Sequence, residues 1–553
     1  MKKPILIGAE FFEKIIEGGY FYIDKTLFIK ELLENKGETT LITRPRRFGK
    51  TLNMNMLECF FDINCDSKAL FDGLKIAEHS EITEKHMNKY PVIFLTLKNV
   101  ESTTYEGSIE DIKLIISGIC RENRYLRESE KLDEEQKETF YRLSSGKSTE
   151  NELKSALRFL TECLYTHHQK RVIVLLDEYD TPITNALTEG YYPEMIKFMR
   201  GFLGSVFKTN KYLEFGVLTG VQRISKESLV SSFNNPKVCG IMDKRFADCF
   251  GFTETEVKEA CKTYGVSGEF EKVEQWYNGY RFGGQDIYNP WSITGYLDEN
   301  RFRNYWVNTG GINVLADIFI KGTTGLKDDM AGLLTGTPVK MTYTERITYP
   351  IMYENDDIFW SMLLNTGYIK PCAGAEGDSF FAELVNREVR NVFGECIGIW
   401  LNRREKETPR VIQQFVEYLL NGDKEGVCKT LNDDLLLNPS CHDFVEENSY
   451  HMFIFGILLA AENDYTVYSN AETGKGRSDC LIKPHDKTRH AAVIEFKHKS
   501  AEGADLAEEA RAGLAQINDK AYISTLQREG YEQVYKYGIA FRKKSCEVAM
   551  ETL

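Results

Sequence analysis

Three groups of residues have the types and spacing to do chemistry. Gly49-Lys50-Thr51 follows a β-rich run, TTLITRP, and precedes a run of helical character. Such a turn presents main-chain N–H groups at a helix N-terminus, where the helix dipole favours phosphate. Lys50 would reach the β- and γ-phosphates of a nucleoside triphosphate, and the Thr51 hydroxyl would ligate magnesium. Downstream, RVIVLLDEYD ends an apolar run in Asp177-Glu178. Asp177 would hold the magnesium shell, and Glu178 would position and polarise the attacking water. The third group lies near the C-terminus. Asp479 precedes Glu495 by 16 residues, and Lys497 follows Glu495 at i+2. Strand side chains repeat every two residues, so Glu495 and Lys497 point to one face. Two carboxylates beside a lysine suit a hard cation, Mg²⁺ or Mn²⁺, with oxygen ligands from Asp479 and Glu495. The metal would polarise a phosphodiester, while Lys497 would steady the attacking hydroxide and the developing charge.

These residues need a sheet to hold them. TTLITRP, YPVIFLTL, RVIVLLDEYD and YLEFGVLTG are short, continuous apolar runs, as expected of buried parallel strands. Helical segments at 107–127 and 148–168 lie between them, and the charged stretch 128–150 reads as surface helix or loop. The fold class is therefore α/β, with a parallel-sheet domain over residues 1–250. From residue 250 the pattern shifts to shorter helices and aromatic-rich turns, giving a helical middle region at 251–402. Within it, 358–371 reads as helix then strand and 380–401 as strand then helix, a winged-helix-like grouping. Residues 321–343 read as an exposed connection, and 403–442 as a helical connector. The last segment, 443–553, reads helix, three strands, helix, strand: a compact α/β domain carrying Asp479, Glu495 and Lys497.

Composition narrows the class. The chain has 553 residues, a formal charge of −14 and 13 cysteines. No apolar run approaches the ~20 residues that span a bilayer, and the N-terminus lacks the h-region of a signal peptide. The cysteines form no C-x-x-C pair, which fits free thiols in the cytoplasm. A net acidic chain is not steered to nucleic acid by its overall field. A local concentration of Arg477, Lys483, Lys487, Arg489, Lys497 and Lys499 would be needed to meet a phosphate backbone. There is no zinc-spaced Cys/His set, and His167-His168 reads as a polar helix end.

The full phosphate-loop pattern G-x-x-x-x-G-K-[ST] would place glycine at 44, where Arg44 stands. The stretch YFYIDKT (20–26), RPRRFGKT (44–51), LLDEYD (175–180) and VLTGVQRISKESLVSSFNN (217–235) nonetheless resembles the AAA-like ATPases of bacteria and archaea, as do FGFTETEV, WYNGYRF and YNPWSI between 250 and 293. Arginine at the first Walker A position is usual in that family. The resemblance implies ATP bound through Arg44, Arg46, Phe48, Gly49, Lys50 and Thr51, with Asp177 completing the magnesium site. It also implies that Thr219 senses the γ-phosphate. Arg223 would touch phosphate in cis, complete a neighbour's site in a homo-oligomer, or form a surface ion pair. Asp24 and Lys25 would frame the nucleotide.

The C-terminal pattern is similar to the PD-(D/E)XK nuclease superfamily, a restriction-endonuclease-like fold often fused to such ATPases. Tyr450-His451, Glu472, Gln516-Ile517 and Tyr522 add to the match. The resemblance implies that Gln516 lies beside the catalytic face and that Glu446 or Glu447 joins the metal site. The expected function is an ATPase whose nucleotide state controls a metal-dependent nuclease acting on DNA or RNA. The alternative is a nucleotide-regulated binding or signalling protein with a non-cleaving nuclease-like domain.

Overall fold

The computed structural model describes residues 2–224, 236–306, 324–345, 355–372, 377–393, 408–435, 447–460, 465–473, 476–499, 505–519, 523–531 and 533–553. The chain forms two compact units. One comprises Met1–Trp306 and Thr342–Lys370, the other Val307–Met341 and Pro371–Leu553.

The first unit is built on a five-stranded sheet of β1 (Thr39–Thr43), β2 (Val92–Thr96), β3 (Val172–Asp177), β4 (Leu213–Gly220) and β5 (Lys237–Cys239). Their order is β2-β3-β4-β1-β5, and every pairing is parallel. All residues of β1 and β3 are buried, which is why both read as unbroken apolar runs. The four long strands fall where the apolar runs predict them; β5 was not expected. Helices Tyr105–Glu122 and Glu150–His168 match the two predicted helical segments. Thr149 and Glu152 close the second of these with a capping box, satisfying main-chain N–H groups at its start. His167 and His168 form its last turn, bonded to Ser129 and Tyr125.

Residue 250 lies inside the first unit. The N-terminal Ile5 and Phe21 pack against an aromatic cluster from the following region, including Tyr277, Tyr288 and Tyr296. Phe48, from the loop after β1, makes edge contacts with Tyr280 at 4.8 Å and Phe282 at 5.1 Å. The sheet pattern ends near 250, but the core does not. The helix Asp356–Thr366 and strands Ile369–Pro371 and Ser379–Leu384 match the middle-region reading. The chain passes between units at Lys370–Pro371, within the expected winged-helix-like grouping, and residues 394–401 of its last helix lie outside the described residues.

In the second unit, β6 (Tyr465–Thr473), β7 (Gly476–Pro484), β8 (Ala491–His498), β9 (Val534–Arg542) and β10 (Ser545–Thr552) form one mixed sheet in sequence order. Only β8 and β9 pair in parallel. The helix Leu506–Asp519 makes that parallel connection. Strand β10 and the short helix Ile523–Arg528 were not anticipated. Among the described residues no helix is long and apolar enough to cross a membrane.

Gly538 sets the spacing between this helix and the sheet. It pairs with Glu495 across β8 and β9, and a Cβ there would lie 2.0 Å from the Ala510 carbonyl oxygen and 2.6 Å from the Leu514 nitrogen. Gly513 approaches from the helix side; its Cβ would lie 3.4 Å from Gly538 Cα. Gly538→Val should therefore lift the helix from the strand and lower stability by about 1–3 kcal/mol. Urea denaturation followed by circular dichroism will check this; an unchanged midpoint would contradict the close-packing account.

Candidate active sites

The first site forms at the C-terminal edge of the parallel sheet, where open α/β sheets bind ligands. The chain leaves β1 at Thr43, and Gly49 caps the helix Lys50–Phe61. Gly49 has φ 79°, in the left-handed region that glycine enters without steric cost. Lys50 is buried, and its Nζ donates to the carbonyl oxygens of Arg44 at 3.2 Å and Pro45 at 3.0 Å. It also lies 3.2 Å from Glu178 Oε1. The ammonium and the candidate water-positioning carboxylate thus meet at the mouth of the loop.

Asp177 ends β3 and is fully buried. Thr51 Oγ1 donates to its Oδ2 at 2.7 Å, Thr96 Oγ1 to the same oxygen at 3.4 Å, and Thr219 Oγ1 to its Oδ1. The helix start and two neighbouring strands therefore converge on one carboxylate. Burial, and then the charge of Glu178, push the Asp177 pKa up. A cation at this point would offset that cost, and Thr51 and Asp177 supply the oxygen donors that magnesium takes. The donor set fits the ion.

Glu178 has φ 54°, an unusual conformation that costs about 1–3 kcal/mol outside glycine. The flanking main chain holds it. Leu97 N donates to Asp177 O at 3.0 Å, and Tyr179 N donates to Thr219 O at 3.0 Å. The sharp turn leaves Glu178 partly exposed at Lys50 while Asp177 stays buried.

Sequence reasoning missed the second half of this motif. Asp180 Oδ2 accepts from Val221 N at 3.0 Å and Gln222 N at 2.7 Å. Burial, then Glu178, raise its pKa to about 6. Tyr179 Oη donates to Gln222 O at 2.7 Å and accepts from Ile224 N at 3.2 Å. The four residues Asp177–Asp180 thus face two ways, toward the phosphate loop and toward the chain leaving β4. The available signal was the second aspartate of LLDEYD.

Two arginines expected at the nucleotide make contacts within the chain. Arg44 is fully buried, and its two terminal nitrogens donate to the carbonyls of Thr43, Cys239, Gly240, Arg245 and Phe246 at 2.8–3.3 Å. Its guanidinium also lies 5.0 Å from the Phe282 ring centre. Burial lowers its pKa to about 10. Arg44 braces the loop from behind. Arg223 forms an ion pair with Glu345, the surface-pair arrangement among the alternatives. Phe48 is a core side chain, whereas Arg46 is half-buried in the loop itself. Asp24 accepts from Thr26 and from Lys75 N, and Lys25 pairs with Glu256 at 2.7 Å; both side chains brace their own neighbourhood. Residues 225–235 lie outside the described residues.

The second site forms where β7 and β8 part. Their ladder pairs Cys480 with Ile494, so Asp479 and Glu495 stand next along it. Phe496 N donates to Asp479 Oδ2 at 2.7 Å. Glu495 is buried; Gln516 Nε2 donates to its Oε1, and Lys497 Nζ lies 3.6 Å from the same oxygen. The structure therefore brings Glu495, Lys497 and Gln516 together, with Asp479 on the adjoining strand. These two carboxylates offer oxygen donors of the kind Mg²⁺ or Mn²⁺ takes. From the opposite helix, His451 hydrogen-bonds to the Asp479 main chain, and its ring lies 5.3 Å from that of Phe496. Burial lowers the His451 pKa against the pull of Asp479. Glu446 and Tyr522 lie outside the described residues, as do the side chains of Glu447, Glu472 and Arg477.

The expected basic concentration is largely paired within the chain. Lys483 meets Glu529 at 2.6 Å, Arg489 meets Glu417 at 3.3 Å, and Lys499 meets Glu509 at 3.1 Å. Another grouping, Glu31, Asp248 and Cys249, brings three potential ligand atoms within 4.8 Å in the first unit. Cys249 is buried with its thiol pushed well up, and it donates to Glu31 Oε2 at 3.3 Å. Glu31 Oε1 accepts from Phe246 N at 2.7 Å. Those contacts use the grouping as a structural hydrogen-bond cluster.

Comparison with known proteins agrees with the two domains expected from the sequence. Residues 6–230 match the family described as "Predicted AAA-ATPase", and residues 445–551 match the PD-(D/E)XK nuclease superfamily. The chain is 26% identical over 569 aligned positions to an "Uncharacterized protein in vnfD 5'region" of Azotobacter chroococcum mcd 1. That alignment covers 99% of this chain and 98% of the relative.

The bracing role of Arg44 has a direct consequence. Arg44→Ala would strip hydrogen bonds from five main-chain carbonyls and should destabilise the protein by about 3 kcal/mol or more without any nucleotide present. Thermal unfolding without nucleotide measures it. Unchanged stability would return Arg44 to the ligand-facing set.

Proposed function

We propose that this chain, which carries an AAA-ATPase-like domain at 6–230 and a PD-(D/E)XK nuclease-superfamily domain at 445–551, hydrolyses ATP and uses its nucleotide state to control metal-dependent cleavage of nucleic acid. The observation that carries the ATPase reading is the convergence of Thr51 and Thr219 on the buried Asp177, with Lys50 held against Glu178. Gly49 and the main chain of the loop cradle the phosphates, with Arg46 at their edge. Lys50 leaves its carbonyl partners to meet the β- and γ-phosphates. Thr51 and Asp177 would hold magnesium, which would supply charge neutralisation at the phosphates. Glu178 orients the attacking water, and Thr219 reads the γ-phosphate.

Asp479 and Glu495 would hold Mg²⁺ or Mn²⁺, which supplies Lewis-acid activation of a phosphodiester and its attacking water. Lys497 stabilises the hydroxide, and Gln516 fixes the Glu495 carboxylate. The link between the activities runs through the chain leaving β4. Gln222 Nε2 donates to Met362 O at 3.2 Å, and Asn365 Nδ2 donates to Gln222 Oε1 at 3.0 Å. With the Arg223–Glu345 pair, these contacts tie the γ-phosphate-sensing end of β4 to the segment Thr342–Lys370. That segment belongs to the first unit but joins the second covalently at both ends. Exchange of Arg223 from Glu345 to a nucleotide, in the same subunit or in a homo-oligomeric neighbour, would change this tether. The free thiols suit a cytoplasmic setting.

A second reading keeps the ATPase and replaces cleavage by nucleotide-regulated binding of a partner, or signalling, through a non-cleaving nuclease-like domain. The internal pairing of Lys483, Arg489 and Lys499 favours it, because fewer cations remain for a phosphate backbone.

Glu178→Gln should retain ATP affinity while lowering turnover about 10²–10⁴-fold. Fluorescent-ATP binding and phosphate release separate the two effects, and wild-type turnover would remove Glu178 from the mechanism. On a panel of DNA and RNA with Mg²⁺ or Mn²⁺, Asp479→Ala, Glu495→Ala and Lys497→Ala should each abolish cleavage. Lys50→Ala should leave that cutting site intact but remove its response to ATP. A wild type that cuts nothing under any metal and nucleotide condition would favour the second reading. Equal cutting by wild type and Asp479→Ala would reject the assigned site.

A further inference from the structure

Away from both sites, the second unit holds two cysteines that the proposed activities do not use. Cys428 lies on the helix Lys424–Thr430, half-buried, and Cys546 lies on β10, buried. Their thiols are hydrogen-bonded to each other, and Cys428 Sγ donates to the Cys546 carbonyl oxygen at 3.7 Å. Asn432 clamps the pair. Its Nδ2 donates to Cys428 O at 2.9 Å, to Cys428 Sγ at 3.4 Å and to Cys546 O at 3.0 Å, while its Oδ1 accepts from Cys546 N at 2.8 Å.

We propose that Cys428 and Cys546 are a peroxide-responsive dithiol that closes to a disulfide between the helix Lys424–Thr430 and β10. The claim is independent of the ATPase and nuclease readings. The shared hydrogen bond divides the labour between the two sulfurs. It lowers the Cys428 pKa to about 7 and pushes the Cys546 thiol up, so Cys428 ionises first. The thiolate is the reactive form, and the half-buried sulfur carries it. Burial instead raises the thiols of Cys59, Cys120, Cys163, Cys239, Cys249, Cys261 and Cys480.

The reaction balances in two steps. The Cys428 thiolate attacks one peroxide oxygen; an S–O bond forms, the O–O bond breaks, and hydroxide or alkoxide leaves. The peroxide gains two electrons, and Cys428 becomes a sulfenic acid. Cys546 then attacks that sulfur. An S–S bond forms, the S–O bond breaks, and the departing hydroxide takes the Cys546 proton to leave as water. A dithiol reductant reverses the bridge by exchange. The closed loop would run from 428 to 546 and enclose Asp479, Glu495, Lys497 and Gln516.

The test uses the reduced full-length protein and a few-fold molar excess of hydrogen peroxide. Free thiols are then alkylated, and the digest is read by mass spectrometry. The expected result is a Cys428–Cys546 cross-linked peptide before any other cysteine is modified, lost again with dithiothreitol. Cys546→Ser should stop at a Cys428 sulfenic acid that dimedone traps. Cys428→Ser should leave Cys546 alkylatable at the same dose. If Cys428 and Cys546 remain alkylatable in the wild type while other cysteines oxidise, the proposal is overturned. Hyperoxidation of Cys428 without a cross-link overturns it equally. The wild-type arm decides the question even if a variant fails to fold.

Discussion

The first unit is organised around a carboxylate taken out of water. An ionised group in an apolar interior is costly unless hydrogen bonds or an opposite charge compensate it. Asp177 receives its hydrogen bonds from hydroxyls on three separate elements: Thr96 at the end of β2, Thr219 near the end of β4, and Thr51 in the first turn after the phosphate loop. Those bonds form only if β2, β3 and β4 end at a common level and the helix Lys50–Phe61 starts beside them. The parallel register provides that level, pairing Thr96 with Asp177 and Leu176 with Leu218. The positive φ at Glu178 follows from the same demand. The chain must bury one acidic side chain and turn the next one outward, without the space of a longer loop.

The second unit handles a buried carboxylate in another way. Glu495 is compensated from above, by Gln516 and Lys497, so a helix must lie almost on the sheet. Two residues without side chains make that approach available. Gly538 lies beside Glu495 in the sheet, and Gly513 lies over it in the helix. A Cβ at Gly538 would lift the amide of Gln516 from the carboxylate, whereas one at Gly513 would meet the sheet at ordinary contact distance. In the first sheet, hydroxyls at strand ends compensate the charge. In the second, the compensation depends on packing distance.

This difference explains what was legible in the sequence. Buried parallel strands have uniform surroundings, so β1 to β4 stood out as apolar runs, and Lys50, Thr51 and Asp177 followed from their ends. Strand β5 has three residues, too few to make a pattern. Strand β10 alternates correctly but follows a turn whose Lys543 has φ 54°, and lysine carries none of the turn signal of Asn-Gly. Glu495, Lys497 and Gln516 were legible by spacing and resemblance. The glycines that make their contact feasible were not, because nothing in a sequence states which backbone must approach which.

The arginines expose a deeper limit. Beside a glycine turn, a cation reads as a phosphate ligand, since charge and position are all that a sequence supplies. The guanidinium of Arg44 instead faces away from the ligand side and binds carbonyls. Its planar fork suits that task, because several main-chain oxygens converge from different segments. Two of them belong to Cys239, which ends β5, and Gly240 just after it, and two to Arg245 and Phe246. Arg44 therefore anchors the start of the phosphate loop to the chain that follows the sheet. The carbonyls of the loop start and of the chain behind it are thereby occupied. A buried cation behind the loop occupies those carbonyls, while Lys50 holds the carbonyls of Arg44 and Pro45 and lies against Glu178.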